Sequence, residues 1–136
     1  MNRFSLLSDD ERWREILVTV ISLAAVRHGR RKLPIAALPS LFEMLRAEFP
    51  ESLPAFDIAE LPDQRFSRAL TLAWKMAEGE EKLWQSASGA NLEVQPQQAE
   101  HNLALMKRRY GEIWIRRYQP VAARLVQILI CGESPL

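Results

Sequence analysis

Apolar residues recur at intervals of three and four over much of this chain, which is the period of a helix with one face in a core. The clearest example follows Ser8, where the repeating residues are Trp13, Ile16, Leu17, Val20, Ile21 and Ala24. Ser8 and Glu11 have the spacing of a capping box, and Gly29 suits the left-handed position that ends a helix. We therefore predict a helix over residues 9–28. Its outward face is expected to carry Arg14, Glu15 and Ser22.

Prolines separate the remaining periodic segments. Proline disrupts a helix interior but is accepted in the first turn and in connectors, and all eight prolines fall between periodic runs. The predicted helices cover residues 9–28, 40–49, 63–85, 96–117 and 120–131, and Gly79 is a candidate early end for the third. We predict an all-α fold, an irregular four- to five-helix bundle that forms a single domain over residues 1–136.

Composition agrees with one packed domain and limits its environment. Of the 136 residues, 48% are hydrophobic and only 5 are glycine, as in folded globular proteins. The single cysteine, Cys131, has no partner for an internal disulfide, which favours a reducing compartment. The longest apolar stretch, residues 16–26, is about half of the roughly 20 residues that a membrane-spanning helix requires. We therefore predict a cytoplasmic protein with no membrane partner.

Candidate catalytic chemistry is sparse. The chain has two histidines, His28 and His101, and we interpret each as a surface residue. It has no HExxH, paired CxxC, GxxxxGK[ST] or GxGxxG motif, the patterns whose geometry would support a mechanism. We therefore predict a protein that is not an enzyme, with no catalytic residues, no metal site and no cofactor.

The two signs of charge are separated along the chain, although the formal net charge is only +1. Residues 40–63 carry a net charge of −5, and residues 103–136 carry +4. The turn around Gly29 adds four bases and no acid. Charge that is segregated in this way is typical of proteins that orient a charged partner.

Seven basic residues are candidates for contact with phosphate groups or with an acidic partner: Arg27, Arg30, Arg31, Lys32, Arg108, Arg109 and Arg116. On a continuous helix over residues 96–117, Arg109 and Arg116 lie in nearly one row, and Arg108 adjoins them. A guanidinium group offers a planar set of donors that fits phosphate, and the Gly29 turn is expected to bring its own cations to the same ligand. The alternative interpretation is that these charges face solvent, or pair with the acidic segment of residues 40–63 inside the fold or in a neighbouring subunit.

Three further residues are candidates for a protein interface. Trp84 lies near the predicted end of the third helix, whereas the other three tryptophans coincide with apolar stripes. Ile115 falls on the polar side of the predicted fourth helix, where an exposed apolar residue beside arginines suits an interface. Arg117 falls on the apolar side of that helix and is expected to extend its charge to solvent.

These patterns favour a small, non-enzymatic helical subunit or adaptor of a larger assembly. Its expected partners are protein subunits, including copies of itself, and the acidic partner of the arginines is a protein or the phosphate backbone of RNA or DNA. The alternative is a sequence-specific DNA-binding regulator of the helix-turn-helix type. That alternative ranks second because the connector with Pro34 and Pro39 does not resemble the tight turn between two such helices.

Overall fold

The first helix, α1 (Asp9–His28), begins and ends where the sequence predicts. In the computed structural model, which describes residues 6–133, the Glu11 backbone N–H donates to Ser8 Oγ at 3.2 Å. The Ser8 N–H donates to Glu11 Oε1 at 3.0 Å, so both halves of the capping box are formed. Gly29 follows the helix with φ 67°, and its N–H bonds to a carbonyl of the last turn. The predicted bounds of α1 are confirmed.

The remaining elements follow α1 in a chain of short connections. The helices are α2 (Leu38–Glu48), α3 (Arg68–Gly79), α4 (Pro96–Tyr110) and α5 (Glu112–Glu133), with a 3-10 turn at Ile35–Ala37 before α2. The strands are β1 (Lys32–Pro34), β2 (Ala59–Glu60), β3 (Arg65–Phe66), β4 (Trp84–Gln85) and β5 (Asn91–Glu93). The chain is therefore mostly helical, as predicted, but the all-α assignment is wrong because two small sheets are present.

Both sheets are antiparallel and very short. The first has the order β1-β5-β4, with Leu33 opposite Leu92, and it joins the end of α1 to the start of α4. The second pairs β2 with β3 in a hairpin, with Glu60 opposite Arg65. Strands of two or three residues are too short to show the alternation of polar and apolar positions that identifies a strand in sequence. This is why the sheets were not expected.

Helix α1 is the centre of the molecule, and residues 15–25 are all buried. It contacts α3, α4 and α5 along its length. On another face, the Trp13 ring packs edge-on against Phe42 of α2 and Phe56, with centroids 5.7 Å and 5.3 Å apart. Because other elements surround it, the middle of α1 has no solvent face, and the predicted exposure of Glu15 and Ser22 is wrong.

Helix α3 is much shorter than the predicted helix over residues 63–85. It starts at Arg68 because Ser67 Oγ accepts the Leu70 N–H, and the Asp57 carboxylate accepts the N–H groups of Arg68 and Ala69. It ends at Gly79, the early end that the sequence suggested. Residues 63–67 and 80–85 instead supply β3 and β4.

The break between the last two helices is at Gly111 and not at Pro120, so the predicted helices over residues 96–117 and 120–131 are corrected. Gly111 has φ 86° and ψ 171°, a conformation that only glycine adopts readily. Pro120 lies inside α5, where its ring is exposed and the neighbouring Tyr118 and Val121 are buried. Burial on both sides of Pro120 holds the helix together despite the missing N–H.

We expect Gly111→Ala to lower the free energy of unfolding by about 1–3 kcal/mol, because a Cβ atom disfavours this backbone conformation. A built Cβ meets no atom within 4 Å at this position, so the loss would come from the backbone and not from a clash. Urea unfolding followed by circular dichroism measures the change.

Gly79→Ala is the matched control, because Gly79 is helical and its Cβ position is equally open. Alanine there is expected to leave stability unchanged or to raise it by up to about 1 kcal/mol. Equal effects of the two substitutions would contradict a special role for the Gly111 conformation.

Candidate interaction surfaces

A stripe of buried polar side chains runs along α1, at Glu15, Thr19 and Ser22, and each of the three is 0% exposed. The Glu15 carboxylate is the charged member of the stripe and therefore has the greatest need of hydrogen-bond partners. Tyr110 donates its hydroxyl to Glu15 Oε2 at 2.7 Å, and Arg109 donates from Nη1 to the same oxygen at 3.1 Å. Arg14 donates from Nε to the other oxygen at 3.1 Å. The carboxylate is therefore paired and hydrogen-bonded on both oxygens, the condition for burying a charge.

The other two members of the stripe bind α5 and α4. Trp114 Nε1 donates to Thr19 Oγ1 at 2.8 Å, and Thr19 donates in turn to the Glu15 carbonyl. Asn102 Nδ2 donates to Ser22 Oγ at 3.1 Å and to the Lys82 carbonyl at 3.0 Å. The stripe thus aligns α1 with both neighbouring helices and with the connector after α3.

Two tyrosines near this stripe have perturbed ionisation. Burial, and then the hydrogen bond to Glu15, raise the pKa of Tyr110 well above its usual range. Burial raises the pKa of Tyr118 to about 12, and its hydroxyl donates to the Ser52 carbonyl at 2.8 Å. Both hydroxyls stay protonated at neutral pH and act as structural donors.

The hydrogen bonds of the buried polar stripe place Arg109 far from the basic turn at Gly29, with which it was predicted to converge. Helix α4 runs antiparallel to α1, since Glu15 bonds Arg109 whereas Ser22 bonds Asn102. Glu15 lies fourteen residues before Gly29, which is about 21 Å along the helix axis. Arg109 therefore supports the core at one end of α1, and the Gly29 turn stands at the other. The predicted phosphate site that included both is not formed as one cluster.

The Gly29 turn itself forms a basic cleft of about 580 Å³, lined by Gly29, Arg30, Arg31, Lys32, Glu93, Val94 and Gln95. Pairing of β1 with β5 builds the cleft, because the Val94 N–H bonds to the Arg31 carbonyl and Lys32 stands opposite Glu93. Lys32 Nζ lies 3.9 Å from the Glu93 carboxylate, so one cation is partly neutralised. Arg27 is exposed on the last turn of α1, close to this cleft in the chain.

The arginines of the last two helices do not form the predicted row, because the break at Gly111 changes the helical phase. Arg108 and Arg116 are exposed on separate helices. Ile115 is only 8% exposed, so its predicted place on the surface is wrong. Ile113, two residues earlier, is 69% exposed.

One patch of exposed residues nevertheless forms at the start of α5. Ile113, Arg116 and Arg117 are all exposed and are spaced at three and four residues, so they share one face of the helix. We call these three residues the basic patch. Arg117 extends to solvent as predicted, but it belongs to the outer face of α5 and not to an apolar one.

Trp84, the last interface candidate, is not at a helix end. It opens β4, opposite Glu93 of β5, and is partly buried. Its position in a strand follows from the early end of α3, which the predicted helix over residues 63–85 did not include.

Much of the acidic segment is paired inside the molecule. Arg65 binds Glu43 in two places, at 2.7 Å and 3.2 Å, and Glu60 at 2.9 Å. The hydrogen bonds from Arg65 hold the pKa of Glu43 below its usual value. Arg124 of α5 binds both oxygens of Glu48 at 3.0 Å. Internal pairing thus accounts for Glu43, Glu48 and Glu60, whose partners Arg65 and Arg124 are not among the seven candidate cations.

The acidic segment also carries exposed apolar side chains. Met44 on α2 is 48% exposed, and Leu61 and Phe66 of the hairpin are 46% and 38% exposed. Arg65 ties the two elements together through its contacts with α2 and with Glu60. We call this surface the α2–hairpin face and define it by Met44, Leu61 and Phe66 with the acidic residues Glu43, Glu60 and Asp63.

A groove of about 300 Å³ adjoins the α2–hairpin face, between the hairpin, the start of α2 and α3. Its lining includes Ile35, Leu38, Phe66, Leu70, Trp74 and Lys75. Lys75 Nζ lies 5.8 Å from the centroid of the Trp74 ring, within the range of a cation–π contact. The groove is lined by both apolar and polar side chains, a combination that is suited to hold one anchoring side chain of a partner.

Both histidines are exposed: His28 directly precedes Gly29 of the basic cleft, and His101 lies on α4. Among residues 6–133, no three His, Cys, Asp or Glu side chains are arranged to hold a metal ion. Within the same range no helix is both long enough and apolar enough to cross a bilayer.

We expect Glu15→Ala to lower the free energy of unfolding by about 3–5 kcal/mol, because it leaves Arg109, Arg14 and the Tyr110 hydroxyl without their buried partner. Chemical denaturation measures the loss. Glu112→Ala is the control, since Glu112 forms only an exposed pair with Lys107 at 4.0 Å. The control is expected to change stability by about 1 kcal/mol or less, and a similar loss in both variants would contradict the structural role of Glu15.

Comparison with known proteins does not extend this description. Models of protein families, curated proteins and solved structures were each compared with the chain, and none of them matches. Its function is therefore inferred from its own surfaces.

Proposed function

We propose that this protein is a non-enzymatic helical adaptor that docks into a larger assembly through its α2–hairpin face. The observation that carries the proposal is the exposure of Met44, Leu61 and Phe66 on two elements held together by one arginine. A single exposed apolar residue is ordinary on a protein surface. Several of them beside a groove are typical of a contact site.

The α2–hairpin face is held in a fixed shape before any partner binds. Arg65 forms bidentate bonds with Glu43 and a further bond with Glu60, which fixes the hairpin against α2. Binding to a preformed surface loses less conformational entropy than binding to a loop that must become ordered. The groove beside Phe66 offers a place for a buried anchor, the kind of contact that dominates binding energy.

The charge around this face determines the chemistry of the partner. Glu43 and Glu60 share one arginine, and the exposed Asp63 lies in the turn of the hairpin. The face is therefore apolar with an excess of negative charge. We expect a protein partner whose own surface combines apolar and basic side chains, because such a surface matches both features.

The double substitution Leu61→Ser and Phe66→Ser tests the proposal, because it removes the apolar part of the face from exposed positions. Affinity purification after cross-linking in cells is expected to recover a stoichiometric partner with the wild-type chain and not with the variant. Titration calorimetry with that purified partner is expected to show at least tenfold weaker binding by the variant, equivalent to about 1.4 kcal/mol.

Leu6→Ser is the matched control, because Leu6 is 70% exposed and lies outside the α2–hairpin face. It is expected to leave partner binding unchanged. A partner that binds wild type and the double variant equally well would overturn the proposed role of the face.

A second candidate function is contact with the phosphate backbone of RNA or DNA at the basic cleft. The specific observation in its favour is that Arg30, Arg31 and Lys32 line one cleft, with Arg27 nearby on α1. Lysine and arginine side chains grouped in this way are suited to phosphate contacts that do not read sequence. Arg109 is not part of this candidate, because it pairs with Glu15.

Binding of short oligonucleotides across a salt series tests this second candidate. If the four cations contact phosphates, the logarithm of affinity should fall with the logarithm of salt concentration with a slope of about −3. The double reversal Arg27→Glu and Arg31→Glu should abolish binding, whereas Arg68→Glu, an exposed reversal elsewhere, should not.

Absence of binding at low salt would exclude the phosphate candidate. Binding confined to a single duplex sequence would instead favour the helix-turn-helix alternative, which predicts contacts with base edges.

A further inference from the structure

The molecule carries two exposed surfaces of opposite charge, and each includes exposed apolar atoms beside its charged residues. The α2–hairpin face combines Leu61 and Phe66 with acidic residues, and the basic patch combines Ile113 with Arg116 and Arg117. We infer that these two surfaces bind each other between copies of the chain, so that copies associate head to tail. This inference rests on the proposed function and names a second copy as the partner.

The two surfaces match in chemistry. Each has an apolar part, with Phe66 38% exposed on one and Ile113 69% exposed on the other. Charged residues adjoin both, and their signs are opposite. Contact would bury the apolar side chains and set arginines against carboxylates, whereas two identical faces would set like charges together. Charge thus favours unlike surfaces over a symmetric pairing of the same surface.

The two surfaces are carried by different elements that surround the central helix. Trp13 packs against Phe42 of α2, whereas Glu15 and Thr19 bind the end of α4 and the start of α5. Trp13 and Glu15 point in directions about 200° apart around α1. Helices α2 and α5 also contact each other through Glu48 and Arg124, and the α2–hairpin face of one copy can bind the basic patch of the next.

An interface between unlike surfaces generates either a ring or an open chain of copies. The small number of exposed apolar residues on each surface is typical of a weak interface that forms at high local concentration. Such association would allow several copies to line up along one scaffold.

Sedimentation velocity of the wild-type chain at concentrations between about 1 µM and about 1 mM tests the inference. This range of concentration includes the dissociation constants that are typical of weak protein complexes. The sedimentation coefficient is expected to rise with concentration. The rise should diminish between about 0.1 M and about 1 M salt, over which the Debye length falls from about 10 Å to about 3 Å.

Two variants identify the surfaces. Leu61→Ser with Phe66→Ser alters the α2–hairpin face, and Ile113→Ser with Arg116→Glu alters the basic patch. Each variant alone is expected to stay monomeric. A mixture of the two should form a one-to-one dimer and nothing larger, because only one compatible pair of surfaces remains. Leu6→Ser should associate as the wild type does.

The other outcomes overturn the inference. A wild-type chain that stays monomeric throughout the concentration range would exclude self-association, while the adaptor proposal would stand if a partner still requires Leu61 and Phe66. Association that survives loss of the basic patch but not loss of the hairpin residues would indicate a symmetric interface. Self-association and partner binding are measured separately. Absence of self-association in the wild-type chain would refute this inference, and partner binding that does not require Leu61 and Phe66 would refute the adaptor proposal.

Discussion

Burial of the Glu15 carboxylate is the constraint to which the rest of this fold is adjusted. An unpaired carboxylate in the interior costs several kcal/mol, and here three donors from two helices surround it. Two of those donors, Arg109 and Tyr110, are the last residues of α4, so that helix must end where its side chains reach Glu15. The turn at Gly111 follows at once and returns the chain as α5, whose Trp114 binds the next member of the stripe.

The charged residues that the sequence offers as partner contacts divide into two groups in the structure. Some are used within the fold: Arg109 neutralises Glu15, Arg124 binds Glu48, and Arg65 holds two carboxylates. Others stay on the surface in small groups, each with a definite location. Separation of charge along the chain therefore serves internal cohesion in part, and only a three-dimensional arrangement distinguishes the paired charges from the exposed ones.

Local signals predicted part of this structure well. The capping box at Ser8 and the glycine after α1 act within a few residues, and they fixed the bounds of that helix correctly. The break at Gly111 was missed, since a glycine within an apolar period looks like a tolerated interruption and Pro120 offered a stronger signal nearby. The position of that break decides the helical phase, and the wrong prediction for Ile115 follows from it.

Other features depend on residues far apart in the chain. Glu15 is predicted at the surface because it lies opposite the apolar stripe of α1, and the approach of Arg109 and Tyr110 from α4 makes its burial possible. The groove beside Phe66 likewise needs α2, α3 and the hairpin together. Sequence periodicity describes single elements, so it predicts neither the burial of Glu15 nor the groove beside Phe66.

The polar stripe also makes α1 intolerant of changes in length. Glu15, Thr19 and Ser22 meet fixed partners on α4 and α5, and their spacing keeps all three on one side of the helix. One residue inserted between Glu15 and Ser22 would rotate the following part of α1 by about 100° and turn Ser22 away from Asn102. Related chains that keep this stripe should therefore vary in the loops, and an insertion or deletion inside α1 should be absent from them.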